Sequence, residues 1–270
     1  MTRPRTGFPF LDAGLDQPGS VLAFAHRGGA FHPGLEGLEN TVAAFEHAVA
    51  LGYRYLETDV HATKDGVVLA FHDEALDRVT EHRGRVQEMT LADVTRALIG
   101  GRESIPTLEA LLEHFPEVCF NIDIKSGAAI APLADLVETM KAHDRVCVAS
   151  FSQRRLRAFR GLAGDRVATS AGPVEVARVR FSPHALSRVL ARTAAAALQV
   201  PQRTGPVQVV TPGLVARAHA LGKQVHVWTV DDPLEMHTLL DLGVDGLISD
   251  RTDLLREVLT ERGQWMGATP

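Results

Sequence analysis

Short apolar, β-rich runs alternate along the chain with longer stretches in which apolar residues recur every three or four positions. The runs are VLAFA (21–25), YRYLETDV (53–60), VCFNIDI (118–124), RVCVAS (145–150), DRVATS (165–170), AALQV (196–200), QVHVWTV (224–230) and VDGLIS (244–249). One intervening stretch is NTVAAFEHAVALG (40–52), where Val42, Phe45, Ala48 and Val49 share a helical face and Gly52 supplies the stop. TLEALLEHF, SQRRLRAFRGLAG, PGLVARAHALG and DPLEMHTLLDLG follow the same period. Strands alternating with helices in this number predict an α/β chain folded as a (β/α)8 TIM barrel. A doubly wound open sheet is the alternative, but no G-x-G-x-x-G follows the first strand as a dinucleotide site would want.

One connection breaks the rhythm. Residues 61–106 are too long for a simple βα loop. Asp65-Gly66 is a turn signal flanked by strand-like residues, which predicts a small hairpin and lid inserted after the second strand. A second irregular stretch, 171–194, carries Arg178, Arg180, Arg188 and Arg192, and reads as a solvated basic face. Without an internal repeat or linker, residues 1–270 are expected to form one domain.

Composition narrows the function classes. The chain has 270 residues, 45% hydrophobic and 23% charged, as in ordinary globular proteins. Its net charge of −5 argues against a non-specific nucleic-acid binder and gives no polybasic signal. The opening MTRPRTGFPFLDAGLDQPGS has no continuous apolar run, so no signal peptide is predicted, and no stretch is long enough to span a bilayer. A cytoplasmic setting is expected, with Cys119 and Cys147 as buried, inert thiols rather than a disulfide framework.

In such a barrel the chemistry sits where the strands end. The first strand ends in His26-Arg27-Gly28-Gly29, the second in Glu57-Thr58-Asp59, the third in Asn121-Ile122-Asp123-Ile124-Lys125. Strand seven offers His226 and Trp228, and Ser249-Asp250 follows strand eight. Glu57 and Asp59 leave the same face of their strand, and two carboxylates that close resist ionising together. A divalent cation removes the conflict, and oxygen-only ligands favour Mg²⁺ or Ca²⁺. Asp123 supplies a third carboxylate, and Lys125 a point charge for an anion. His26 and His72 are the natural acid–base pair, and Arg27 offers two-pronged contact to a phosphate. Gly28-Gly29 lets the backbone turn sharply and a ligand approach. Together these side chains describe a site for breaking a phosphate ester.

The set His26-Arg27-Gly28, Glu39-Asn40-Thr41, Glu57-Thr58-Asp59 and DGVVLAFHDEALDRVT resembles the glycerophosphodiester phosphodiesterases, with IPTLEALL, NIDIK, VHVWTVDDP and GVDGLISDRTDLL continuing the match across residues 21–256. The resemblance implies a TIM barrel, a divalent metal, and hydrolysis of a small-molecule phosphodiester to glycerol 3-phosphate and an alcohol. It assigns His26 and His72 to acid–base catalysis, Glu57, Asp59 and Asp123 to the metal, and Arg27 and Lys125 to phosphate charge. Trp228 becomes a wall of the substrate pocket. For His26 the expected role is base, and for His72 leaving-group acid. Many relatives carry Glu where this chain has Asp123, and the spacer GGAFHPGLEG, with its additional His32, is long. Glu39 supports either the metal site or Arg27, or with Asn40 and Thr41 starts a helix. Asp250 either backs the site or initiates the last helix. Rival readings are a lysophospholipase-D-like or sphingomyelinase-D-like enzyme on the same barrel, which an exposed apolar rim at Phe31, Leu35 and Leu38 would favour, and a catalytically silent phosphate-binding barrel.

Overall fold

A computed structural model describes residues 3–17, 19–182 and 192–267. Its strands are β1 (Leu22–His26), β2 (Tyr55–Ala62), β3 (Val68–Ala70), β4 (Leu98–Ile99), β5 (Glu103–Ser104), β6 (Cys119–Ile124) and β7 (Val146–Ala149). β8 (Ala168–Thr169), β9 (Ala197–Pro201), β10 (Arg203–Thr204), β11 (Val207–Gln208), β12 (Gln224–Trp228) and β13 (Gly246–Ser249) complete the set. The barrel order is β8-β7-β6-β2-β1-β13-β12-β9, with every neighbour parallel. The ring closes through a parallel bridge between Ser170 and Ala197, which excludes the open doubly wound sheet. All eight apolar runs read from the sequence are barrel strands, and the (β/α)8 expectation holds.

Helices form where the period predicted them, because each start has a side chain able to satisfy a free backbone N–H. Thr41, Thr107, Ser152, Thr211 and Asp232 each accept from the residue three positions on, opening the helices Val42–Ala50, Leu108–His114, Gln153–Ala163, Pro212–Ala220 and Pro233–Asp241. Their apolar faces and the outer faces of the strands make the main core. A smaller cluster fills the barrel itself, where Phe10 packs edge-on against Tyr55 at 5.2 Å and near Phe24. Phe10 comes from a short N-terminal helix, Pro9–Asp12, that plugs one end.

The long connection after β2 is an insertion, as expected. β3 folds back antiparallel on the end of β2, pairing Val60 with Ala70, and Gly66 at φ +85° makes the turn. The rest, including the β4–β5 hairpin, has its own core of Leu69, Phe71, Leu76, Val86, Val94 and Ile99. This small core sets where His72 stands, two residues beyond β3. Gly28 and Gly29, at φ +85° and +94°, make the sharp turn expected after β1. A Cβ on Gly28 would lie 2.7 Å from that of Ala44, and one on Gly29 2.8 Å from the Thr252 side chain. Both glycines also let helices pack close to the β1 turn.

Candidate active site

Strand register builds the site in two rungs. His26 on β1 pairs with Glu57 on β2, and Glu57 with Asn121 on β6. One rung further, Asp59 pairs with Asp123, and Asp123 with Ala149 on β7. Residues paired in a parallel ladder point to the same side, so the carboxylates and His26 face one cavity of about 570 Å³ at the carboxyl ends of the strands. Arg27, His72, Lys125 and Trp228 also line it.

The charged groups hold each other closely. Lys125 Nζ lies 2.9 Å from Asp59 and 2.7 Å from Asp123. Burial alone would lower the Lys125 pKa, but those two carboxylates push it up to about 12. Burial raises Asp59, and the Lys125 and Arg27 charges outweigh it and keep its pKa low. For Asp123 burial wins and the pKa rises. Glu57, buried and beside the Asp59 charge, is pushed up to about 7. Arg27 Nε is 3.0 Å from Asp59, and Arg27 Nη1 donates to Glu39 at 3.1 Å. Arg27 itself stands at φ +50° and its carbonyl accepts from Asn40, at φ +59°. Both stand in the sparsely populated left-handed region, held there by the bonds around them.

Each histidine has a carboxylate behind it. His26 Nδ1 lies 2.8 Å from Asp250, leaving Nε2 toward the cavity, 3.7 Å from Glu57. Burial would depress the His26 pKa, and Glu57 and Asp250 more than offset that and raise it. His72 Nδ1 lies 2.5 Å from Asp73. Burial raises the Asp73 carboxyl, but Arg78 and His72 bring it down to about 2. An imidazole oriented through Nδ1 by a carboxylate presents Nε2 for proton transfer.

Of the residues with two readings, Glu39 carries ion pairs to Arg27 and Arg78. Thr41, not Asn40, caps the helix, while Asn40 donates to Asp59 at 3.4 Å and accepts from Thr58 at 2.8 Å. Asp250 backs His26, and the last helix, Thr252–Glu261, starts without it. Trp228, half-buried, lines the cavity edge-on to Phe151 at 5.1 Å. His226 is a core residue: fully buried against Phe24, its pKa lowered to about 3 by burial. His32 pairs with His47 (Nε2 to Nε2 3.3 Å) and does not line the cavity. Leu35 and Leu38 do not form an apolar rim; both are buried against Ala44. Arg178 and Arg192 are exposed, as expected, whereas Arg180 lines the cavity; Arg188 lies outside the described residues.

Several positions that bond to the candidate site residues escaped sequence reasoning. Arg78 lies in the insertion yet bonds both Asp73 and Glu39, so it ties His72 to Arg27. Asp231 accepts from Ser249 and from the Asp250 N–H, fixing the turn that aims Asp250. His61, which burial keeps below its ordinary pKa, sits with Nε2 3.0 Å from the His72 carbonyl. Asp73 and Asp231 could have been suspected from HD and DD next to chemistry-bearing residues. Arg78 had no signal, because the fold of the insertion alone brings it back.

The three carboxylates expected to hold a metal share this cavity, and the oxygen donor set suits a hard cation. Asp123 Oδ1 is buried without a hydrogen-bond partner, and Glu57 is forced toward its neutral form, so the cluster is short of positive charge. The donor chemistry of these residues, rather than their present spacing, suits a divalent ion. With Lys125 between Asp59 and Asp123, no three potential ligands among the described residues converge on one point.

Comparison with known proteins identifies the family. The profile of the glycerophosphoryl diester phosphodiesterase family matches residues 26–254. "Probable glycerophosphodiester phosphodiesterase 2" of Mycobacterium tuberculosis is 45% identical over 254 residues, covering 93% of this chain and 95% of that protein. A glycerophosphodiester phosphodiesterase of Caldanaerobacter subterraneus subsp. tengcongensis is 30% identical over 261 residues, covering 90% and 99%. The crystal structure of a glycerophosphodiester phosphodiesterase from Agrobacterium tumefaciens superposes with a TM-score of 0.73 at 24% identity, covering 89% and 99%, and shares the fold. The chain therefore belongs to the glycerophosphoryl diester phosphodiesterase family and is a phosphoric diester hydrolase.

Proposed function

We propose that this hydrolase cleaves glycerophosphodiesters to glycerol 3-phosphate and an alcohol, by acid–base catalysis from His26 and His72 at a divalent ion held by Glu57, Asp59 and Asp123. The observation that carries the reading is the pair of imidazoles, each backed by a carboxylate, over one cavity with an excess of buried carboxylate. When bound, Mg²⁺ or Ca²⁺ would supply charge to a phosphoryl oxygen. Arg27 and Lys125 line the same end and neutralise the phosphate. His26, tied to the rigid barrel through Asp250, takes the proton from the nucleophile at Nε2. His72, on the insertion, protonates the leaving alkoxide. Trp228 and Phe151, edge-on to each other with Lys125 Nζ 5.5 Å from the Phe151 ring, form a wall beside that end. The test is metal binding and turnover together: Glu57→Gln loses both while the circular dichroism spectrum stays native. A Glu57→Gln enzyme with wild-type activity defeats the assignment.

One observation favours a second reading of the alcohol. Away from the carboxylates the cavity wall is apolar, formed by Phe151, Val176, Phe181, Val207, Val209 and Trp228. An alcohol that carries an acyl chain, as in a lysophospholipid, would bury that chain there. A higher kcat/KM for a lysophospholipid than for the deacylated diester with the same head group supports this reading, and the reverse order removes it.

A further inference from the structure

Exposed apolar side chains are distributed unevenly over the molecule. Among the described residues seven large hydrophobic side chains are exposed. Leu162 sits in the last turn of its helix, at the far end of the barrel. The other six, Phe31, Phe151, Val174, Phe181, Val207 and Leu234, all lie in segments that follow the carboxyl ends of barrel strands, on the face where the cavity opens. Phe181 is 71% exposed, Phe151 61% and Val207 50%, and these three also line the cavity.

Charge is uneven along the sequence of the same part of the chain. Between residues 171 and 208 the sequence has one acid, Glu175, against Arg178, Arg180, Arg188, Arg192 and Arg203, in a chain whose net charge is −5. Glu175 is taken by Arg160 and the Gly172 N–H, so it does not balance the sector. On the helix Pro173–Phe181, Val174, Arg178 and Phe181 follow at i, i+4 and i+7 and form one exposed stripe. Arg180 stands beside it, its guanidinium 5.3 Å from the Phe181 ring. The β10–β11 hairpin across the cavity repeats the pairing with exposed Arg203 and Val207.

We propose that this sector of the mouth docks on an anionic phospholipid bilayer, with Phe181, Val207 and Phe151 entering the interface and Arg178, Arg180 and Arg203 on the headgroups. Aromatic and aliphatic tips beside arginines, with no acid between them, suit the boundary between acyl chains and negative headgroups. The cavity then opens at the membrane surface, where its apolar wall continues the hydrocarbon. No helix of the described residues is long and apolar enough to cross a membrane, so the contact is peripheral.

The test sediments the whole protein with vesicles of phosphatidylcholine alone and of equal parts phosphatidylcholine and phosphatidylglycerol, at low and high salt. Retention by the anionic vesicles only, weakened by salt, is expected. Arg178→Glu with Arg203→Glu should reduce it at least ~25-fold, taking about fivefold for each cation near an anionic surface. Phe181→Ser should weaken binding even at low salt. The double arginine variant should hydrolyse a soluble glycerophosphodiester at the wild-type rate, which shows that it is folded. Because retention is read apart from hydrolysis, the proposal stands or falls independently of the activity. No retention of the wild type, equal retention by neutral vesicles, or indifference to both sets of substitutions overturns it. So does a dimer in solution that these substitutions dissociate, since the face would then belong to a second copy.

Discussion

Removing the Glu57 charge should stabilise the metal-free protein at neutral and higher pH, while abolishing its response to metal. Glu57 is buried beside Asp59, and its carboxyl moves from an ordinary 4.5 to about 7 in the folded chain. Between those values the native state binds more protons than the unfolded state, so stability falls as pH rises across that window and stays reduced above it. The shift corresponds to about 3 kcal/mol. Glu57→Gln leaves His26 without a charge 3.7 Å away, which offsets part of the gain, so a net of about 1–3 kcal/mol is expected above pH ~7. Urea unfolding between pH 5 and 8, with and without chelator, reads it. In chelator the wild type should lose stability with pH more steeply than Glu57→Gln; added Mg²⁺ or Ca²⁺ should stabilise only the wild type. Parallel pH profiles for the two proteins in chelator would refute the argument, because Glu57 would then not be a frustrated charge.

Lys125→Ala and Arg27→Ala should each lower kcat/KM by ~10²-fold or more, and wild-type kinetics in either would return that side chain to a structural role. On a p-nitrophenyl phosphodiester, whose leaving group needs no proton, His72→Ala should recover much of its rate and His26→Ala should not; the opposite pattern would exchange their roles. Arg78→Met should cut kcat by about tenfold or more with KM little changed, since it loosens His72 without touching the phosphate. If Arg78→Lys restores nothing, the two-sided guanidinium geometry is what the site needs.

The barrel was legible because each strand is a short apolar run, five helices open on a capping side chain, and three of those close with Leu-Gly. The helix Ile130–Thr139 and the plug Pro9–Asp12 were not, since Pro132 and Pro9 interrupt or shorten the apolar period that marks a helix. Period two on β2 and β6 was enough to aim Glu57, Asp59 and Asp123 at one cavity. What the period could not show was Lys125 reaching back between two of them, or Arg78 returning from the insertion to Glu39. Both depend on tertiary placement of long, flexible side chains. The same limit explains the apolar rim: Leu35 and Leu38 look exposed in a polar loop, yet pack on Ala44, while the rim comes from Phe151, Phe181 and Val207.

The central claim is phosphodiester hydrolysis at a metal-dependent histidine pair. Phosphorus NMR of a glycerophosphodiester incubated with the enzyme tests it most directly, in chelator and after adding back Mg²⁺ or Ca²⁺. No change is expected in chelator and, with metal, conversion to glycerol 3-phosphate, directly or through a cyclic phosphate signal. Glycerol 3-phosphate formed at full rate after exhaustive chelation, or an untouched diester with either metal, would contradict it.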